Sequence, residues 1–123
     1  MGYSSFEELN VWKKARKLRK DISGLTKEFP KEERYRLTDQ IIRSSRSVSA
    51  NIAEGHGRFH YQENIQFCRT ARGSLLEVLD HLFVALDEKY IDEETFHSLR
   101  NDIKEIERML NGYIAFLQKK KKD

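Results

Sequence analysis

Five cations in the first amphipathic stretch, Lys13, Arg16, Lys17, Lys20 and Lys27, make the clearest chemical pattern in the sequence. Wound as a helix they share one side, and no acidic residue interrupts the row. Ammonium and guanidinium groups held this way suit phosphate contacts, which position a nucleic acid without reading its bases. Arg43, Arg46 and Arg58 extend the same chemistry along the next stretch. A merely solvated helix face has the same pattern, so both readings stand. A second group is Asn51, Glu54, Arg58, Arg72 and Glu77. Arg72 falls among apolar residues and cannot shed its proton, so if buried it must pair with a carboxylate, Glu54 or Glu77. Asn51, Glu54, Arg72 and Glu77 therefore read as a buried polar network or a subunit contact. The alternative is a ligand contact at the glycine turn, through His56 and Arg58.

Catalytic chemistry has little to stand on. Helical bundles hold two metal ions with paired Glu-x-x-His motifs pointing inward. Only Glu94 and His97 match, both off the apolar stripe of their helix, and no second motif answers them. Glu77, Asp80 and His81 cluster on a polar side. Cys68 lies on an apolar face, where a thiol behaves as a small hydrophobe rather than a nucleophile. No phosphate-cradling glycine loop, nucleophile elbow or dinucleotide fingerprint occurs. No enzymatic activity, metal or cofactor is expected.

Four helical stretches would carry these groups, at about residues 6–28, 31–55, 61–88 and 92–118, with a frayed basic tail at 119–123. Ser5 and Glu8 suggest a capping box for the first. Its core stripe is Val11, Ala15, Leu18, Ile22, Leu25 and Phe29. Pro30 opens the second, in which Leu37, Ile41, Val48 and Ile52 share one side and small residues occupy much of the rest. Gly55 and Gly57 would close it in the left-handed conformation. In the third, Ile65, Cys68, Leu75, Leu79, Leu82 and Leu86 centre a broad apolar face, flanked by Leu76 and Phe83 on one edge and by Phe67, Ala71 and Val78 on the other, and Gly73 and Ser74 would let a neighbouring helix approach closely. Asp92 caps the fourth, which has the cleanest stripe: Phe96, Leu99, Ile103, Ile106, Leu110, Ile114 and Leu117. Short polar connections between helices of this length predict an all-α, up-down-up-down antiparallel four-helix bundle.

The totals agree. At 123 residues the chain suits one domain with its own core, residues 1–123. Charged residues (35%) nearly equal apolar ones (38%), and a single proline interrupts them, which favours long helices over a β-sandwich. Net charge is only +3, but residues 1–58 hold thirteen basic and eight acidic groups whereas 59–123 hold ten and twelve. That asymmetry is compatible with a phosphate partner. One cysteine excludes an internal disulfide, and no apolar run is long enough to cross a bilayer. A cytoplasmic protein with no membrane partner is expected.

Three segments, FEELNVWKKARKL, QIIRSSRSVSANIAEGHGR and RTARGSLLEVLDHL, resemble the small four-helix-bundle proteins encoded within intervening sequences of bacterial 23S ribosomal RNA genes. They are similar too to the accessory variability proteins of diversity-generating retroelements. The most specific pieces are Asn51-Ile52-Ala53-Glu54-Gly55 followed by Arg58, and Gly73-Ser74 followed by Glu77. The resemblance implies a non-catalytic protomer that assembles as a homopentamer. In the retroelement branch it implies a basic surface for nucleic acid; in the ribosomal branch an association with rRNA is often supposed. Trp12, Ile42 and Phe67, off the main core stripes, suit subunit contacts. The expected function is a nucleic-acid-associated scaffold or adaptor, binding RNA or DNA through the basic face. The alternative is a purely structural or protein-binding homo-oligomer.

Overall fold

The computed structural model describes residues 5–122, and within them four α-helices and no strand: α1 (Asn10–Thr26), α2 (Leu37–His56), α3 (Tyr61–Asp87) and α4 (Glu93–Lys122). Short 3-10 turns at Phe6–Glu8 and Lys31–Glu33 precede the first two. Consecutive helices pack side by side and α1 also meets α4, while the backbones of the diagonal pairs, α1–α3 and α2–α4, stay more than 8 Å apart. The result is a four-helix bundle around one continuous core.

Helix α4 buries all seven residues of its expected stripe. A fully buried isoleucine such as Ile103 is worth about 1.5–3 kcal/mol relative to exposure, so this stripe is a main source of stability. Asp92 caps the helix: its Oδ1 accepts the Thr95 N–H at 2.7 Å, and that bond holds the carboxyl below its usual pKa. The lysine tail is not frayed. Lys119–Lys122 continue α4, because cations are favourable at a helix C-terminus and Lys121 Nζ donates to Gln62 Oε1 on α3.

Helix α1 starts later than its sequence pattern implies. Ser5 accepts the Glu7 N–H at 3.4 Å and donates to the Glu7 carboxylate at 3.0 Å, so the expected capping box with Glu8 does not form. Leu9 is extended (φ −70°, ψ 123°), which separates the 3-10 turn from the α-helix. Val11, Ala15, Leu18, Ile22 and Phe29 are buried as expected, whereas Leu25 is half-buried and Thr26 takes its place.

Helix α2 begins at Leu37, not at residue 31. Arg36 (φ −123°, ψ −108°) leaves helical geometry, and the Glu33 carboxylate accepts the Leu37 N–H at 3.4 Å. The same carboxylate accepts the Tyr90 hydroxyl at 2.8 Å, a bond that pushes the Tyr90 pKa up to about 12 and ties the α1–α2 connection to the α3–α4 loop. Three buried serines explain the small, polar character of α2. Ser44, Ser45 and Ser49 each donate to a carbonyl of the preceding turn, at 2.6, 2.9 and 3.3 Å, so they need no outside partner.

Neither glycine closes α2 in the left-handed region, since no glycine among the described residues has a positive φ. Gly55 is helical and buried, and its role is space. A Cβ there would lie 2.7 Å from Asn64 Oδ1 and 2.8 Å from the Phe67 Cβ on α3. Gly73 is the reverse case, because a Cβ would meet nothing of this chain within 4 Å. Helix α3 is also rotated from expectation: Ala71, Val78 and Ala85 are fully buried, Leu79 and Leu86 only half so, and Leu76 and Phe83 are exposed. Small residues let α3 lie close against α2, which turns its larger leucines to the rim. The helix ends on Lys89 (φ 65°), with the Tyr90 N–H returning to the Ala85 carbonyl at 2.9 Å.

Candidate nucleic-acid interface

Burial of Val11, Ala15, Leu18 and Ile22 turns Lys13, Arg16, Lys17 and Lys20 to solvent, where with Asp21 they line one shallow groove. The row is less free of acid than α1 alone suggests. Lys17 Nζ donates to Asp21 Oδ2 at 2.9 Å and lies 4.0 Å from Asp102 on α4; the Asp21 bond raises the Lys17 pKa. Lys14 pairs with Glu105 at 3.0 Å. Asp21 is an i,i+4 partner on α1 itself, whereas Asp102 and Glu105 lie on a helix about 85–91 residues away in sequence, beyond the reach of any local pattern. Arg16 lies over the Trp12 ring at 5.8 Å, and Phe6 meets the same ring edge-on at 5.0 Å. Lys13, Lys20 and Lys27 have no carboxylate within salt-bridge range among the described residues.

The three arginines do not extend this row. Arg43 pairs with Asp39 at 3.7 Å in a groove shared with Ser47 and Glu77, between α2 and α3. Given the order of helices around the bundle, that groove lies opposite the α1–α4 seam. Arg46 is exposed and unpaired among the described residues. Arg58 sits on the α2–α3 turn, 3.3 Å from Glu54 and 3.9 Å from Glu63, with its guanidinium 4.9 Å over the Phe67 ring. The cations therefore occupy three places rather than one face.

The expected polar network is likewise dispersed. Arg72 is half-buried at the α4 edge of α3 and donates to Asn111 Oδ1 at 2.7 Å, so neither carboxylate partner is engaged. Glu54 belongs to Arg58, and Glu77 lies 3.9 Å from His81. Asn51 donates to the Ser47 carbonyl and hydroxyl at 2.8 and 2.9 Å, and that hydroxyl meets Ser74 Oγ at 2.9 Å. A different set forms the buried polar centre. Asn64, 6% exposed, donates from Nδ2 to the Tyr113 hydroxyl at 3.2 Å and accepts the Cys68 thiol at 3.5 Å. His56 Nδ1 lies 3.4 Å from the same hydroxyl. Burial pushes the Cys68 thiol up to about 11 and raises the Tyr113 pKa against the pull of Asn64. Both groups stay neutral and serve as hydrogen-bonding partners, not nucleophiles. The signal for this set was Asn64 itself, one turn before Cys68 on the apolar stripe of α3.

Glu94 and His97 are both exposed on α4, and among the described residues no three His, Cys, Asp or Glu side chains gather at metal-binding distance. No helix in them is long and apolar enough to cross a membrane.

The comparisons with known proteins fit this architecture. No curated protein is significantly similar to the chain. Among solved structures it is similar to a protein of unknown function from the S23 ribosomal protein family of Bacteroides thetaiotaomicron VPI-5482. The two are 27% identical with a TM-score of 0.79, over 85% of this chain and 95% of that one. Residues 7–112 match the sequence model described as 23S rRNA-intervening sequence protein. That match takes in all of α1, α2 and α3 and most of α4, so the chain belongs to the 23S rRNA-intervening sequence protein family.

Proposed function

We propose that this protein is a non-catalytic, cytoplasmic scaffold that associates with nucleic acid as a homo-oligomer of antiparallel, up-down-up-down protomers. The observation that carries the nucleic-acid reading is a group of four exposed cations with no carboxylate in range among the described residues, Lys13, Lys20 and Lys27 on α1 and Arg46 on α2. Such groups release counterions when they meet phosphates and do so for any base sequence. The antiparallel arrangement is supported by the pairings of Ser47 with Ser74, Arg72 with Asn111 and Phe83 with Phe96. A pentameric ring is the assembly that the family resemblance implies.

A second reading, a protein-binding oligomer with no nucleic-acid role, is favoured by one observation. Leu76, Phe83 and Val84 leave an apolar strip of α3 exposed, at 42%, 42% and 39%. Light scattering on a sizing column, with and without a structured rRNA fragment, separates the two. The first reading expects an oligomer that binds RNA with a log–log salt slope of roughly 3 for four phosphate contacts. Lys13→Glu with Lys20→Glu then weakens the complex. An oligomer indifferent to RNA at every salt concentration leaves the second reading; a monomer removes the shared basis of both.

A further inference from the structure

We propose that the end of the bundle made by the α2–α3 turn and the last turns of α4 is a stacking site for single-stranded nucleic acid. The proposal rests on the nucleic-acid reading above but assigns a different surface and a narrower ligand. Phe59 is 91% exposed, Tyr61 48% and Phe116 52%. A phenylalanine kept almost wholly in water forgoes its burial energy, and its open face is the group that an unpaired base seeks.

Cations accompany the rings. Arg58-Phe59-His60-Tyr61 alternates basic and aromatic side chains along the turn. Lys119–Lys122 form the end of α4; Lys120 Nζ lies 5.7 Å from the Phe116 ring, and the Lys121 bond to Gln62 holds this turn beside Tyr61. The nearby acids of α2 and α3, Glu54 and Glu63, both face Arg58, whereas Lys119, Lys120 and Lys122 have no carboxylate in range among the described residues. Phe59 meets His60 at a near-perpendicular angle (4.9 Å, 87°), and its high exposure leaves the ring accessible. A second protein copy would call for a contiguous apolar patch. Single rings set between cations match instead the alternation of base and phosphate along a strand. A duplex hides its base faces in its own stack, so it can use the lysines but not the rings.

The test is fluorescence anisotropy of the full chain with a labelled oligo-dT of about ten nucleotides, a length within the usual site size. A mixed-sequence duplex of similar length is the companion probe, and both are titrated at low and moderate salt. Phe59→Ala and Tyr61→Ala are each expected to weaken single-strand binding by about tenfold, the effect of losing one stacked base, and to leave duplex binding unchanged. Phe59→Ala removes a side chain exposed to solvent, and circular dichroism checks that both variants stay helical. Lys13→Glu with Lys20→Glu reports on α1 in parallel. If that pair weakens both probes while the aromatic variants bind like the unaltered chain, the stacking site is wrong and the nucleic-acid scaffold stands. If neither probe binds, both readings fall. A drop in oligomer mass on Phe59→Ala with single-strand binding intact assigns the turn to a subunit contact and overturns the proposal.

Discussion

The two seams that flank α4 and α2 are built from opposite materials. Between α2 and α3 the contacts are small: Gly55 against Asn64 and Phe67, and Ser47 against Ser74. Between α1 and α4 they are long and charged, with Lys14 reaching Glu105 and Lys17 reaching Asp102. Close backbones gain dense dispersion contacts that salt does not screen. Exposed ion pairs contribute little and are screened, but their cations stay near solvent and available. The first seam is where the chain holds itself together, and the second is where it keeps charge in reserve.

The sharpest way to break that contrast is at two glycines. Gly55→Ala places a methyl 2.7–2.8 Å from Asn64 Oδ1 and the Phe67 Cβ, and 3.1 Å from the Asn64 carbonyl. A Cβ and a carbonyl cannot swing aside, so the helices must part. A net loss of about 1–3 kcal/mol is expected, even against the roughly 1 kcal/mol that alanine gains over glycine in a helix. Gly112→Ala meets nothing of this chain within 4 Å and should gain about 0.5–1 kcal/mol. Urea midpoints for the two variants decide the matter; equal behaviour would mean that the α2–α3 seam is not tight. A loss of similar size belongs to Tyr113→Phe. It strips the acceptor from the Asn64 amide, which is 6% exposed, and leaving such a donor unpaired costs about 1–3 kcal/mol. The same melts would show no change if water reached Asn64 instead.

Legibility in the sequence followed the same division. The stripe of α4 was readable because one period of apolar residues faces one core, and Asp92 announced its cap. The centre of α3's buried face was placed too near Leu79 and Leu86 and too far from the edge of Ala71 and Val78, because hydrophobicity alone favours leucine over alanine. Ala71 and Ala85 are nonetheless fully buried, and how the helices pack around them is a fact that no single helix states alone. Arg72 was assigned a carboxylate on the premise of burial, yet at the rim of α3 it needs only Asn111. The start of α2 was obscured because Glu33 looks like an ordinary first-turn acid. Its carboxylate is in fact shared between the Leu37 N–H and Tyr90, a residue of the far loop. The cation row of α1 was visible by spacing, while its acidic edge on α4 was not.

The carboxylate nearest the row, Asp21 on α1 itself, offers the most delicate test of the charge held there. Asp21 accepts the Lys17 ammonium at 2.9 Å and raises its pKa, so a phosphate approaching Lys17 must displace a carboxylate already in place. Lys17 is 67% exposed along its side chain, which limits the stabilising value of the pair to below about 1 kcal/mol. Asp21→Asn should therefore leave the melting curve nearly unchanged. Its effect should surface in nucleic-acid binding, because a released Lys17 can take one further phosphate. The log–log salt slope would steepen by about 0.7–0.9, and affinity at low salt would rise accordingly. An unchanged slope with a cooperative, unshifted melt would remove Lys17 from the contact and confine it to Lys13, Arg16, Lys20 and Lys27, the cations of the row that stand free of acid among the described residues.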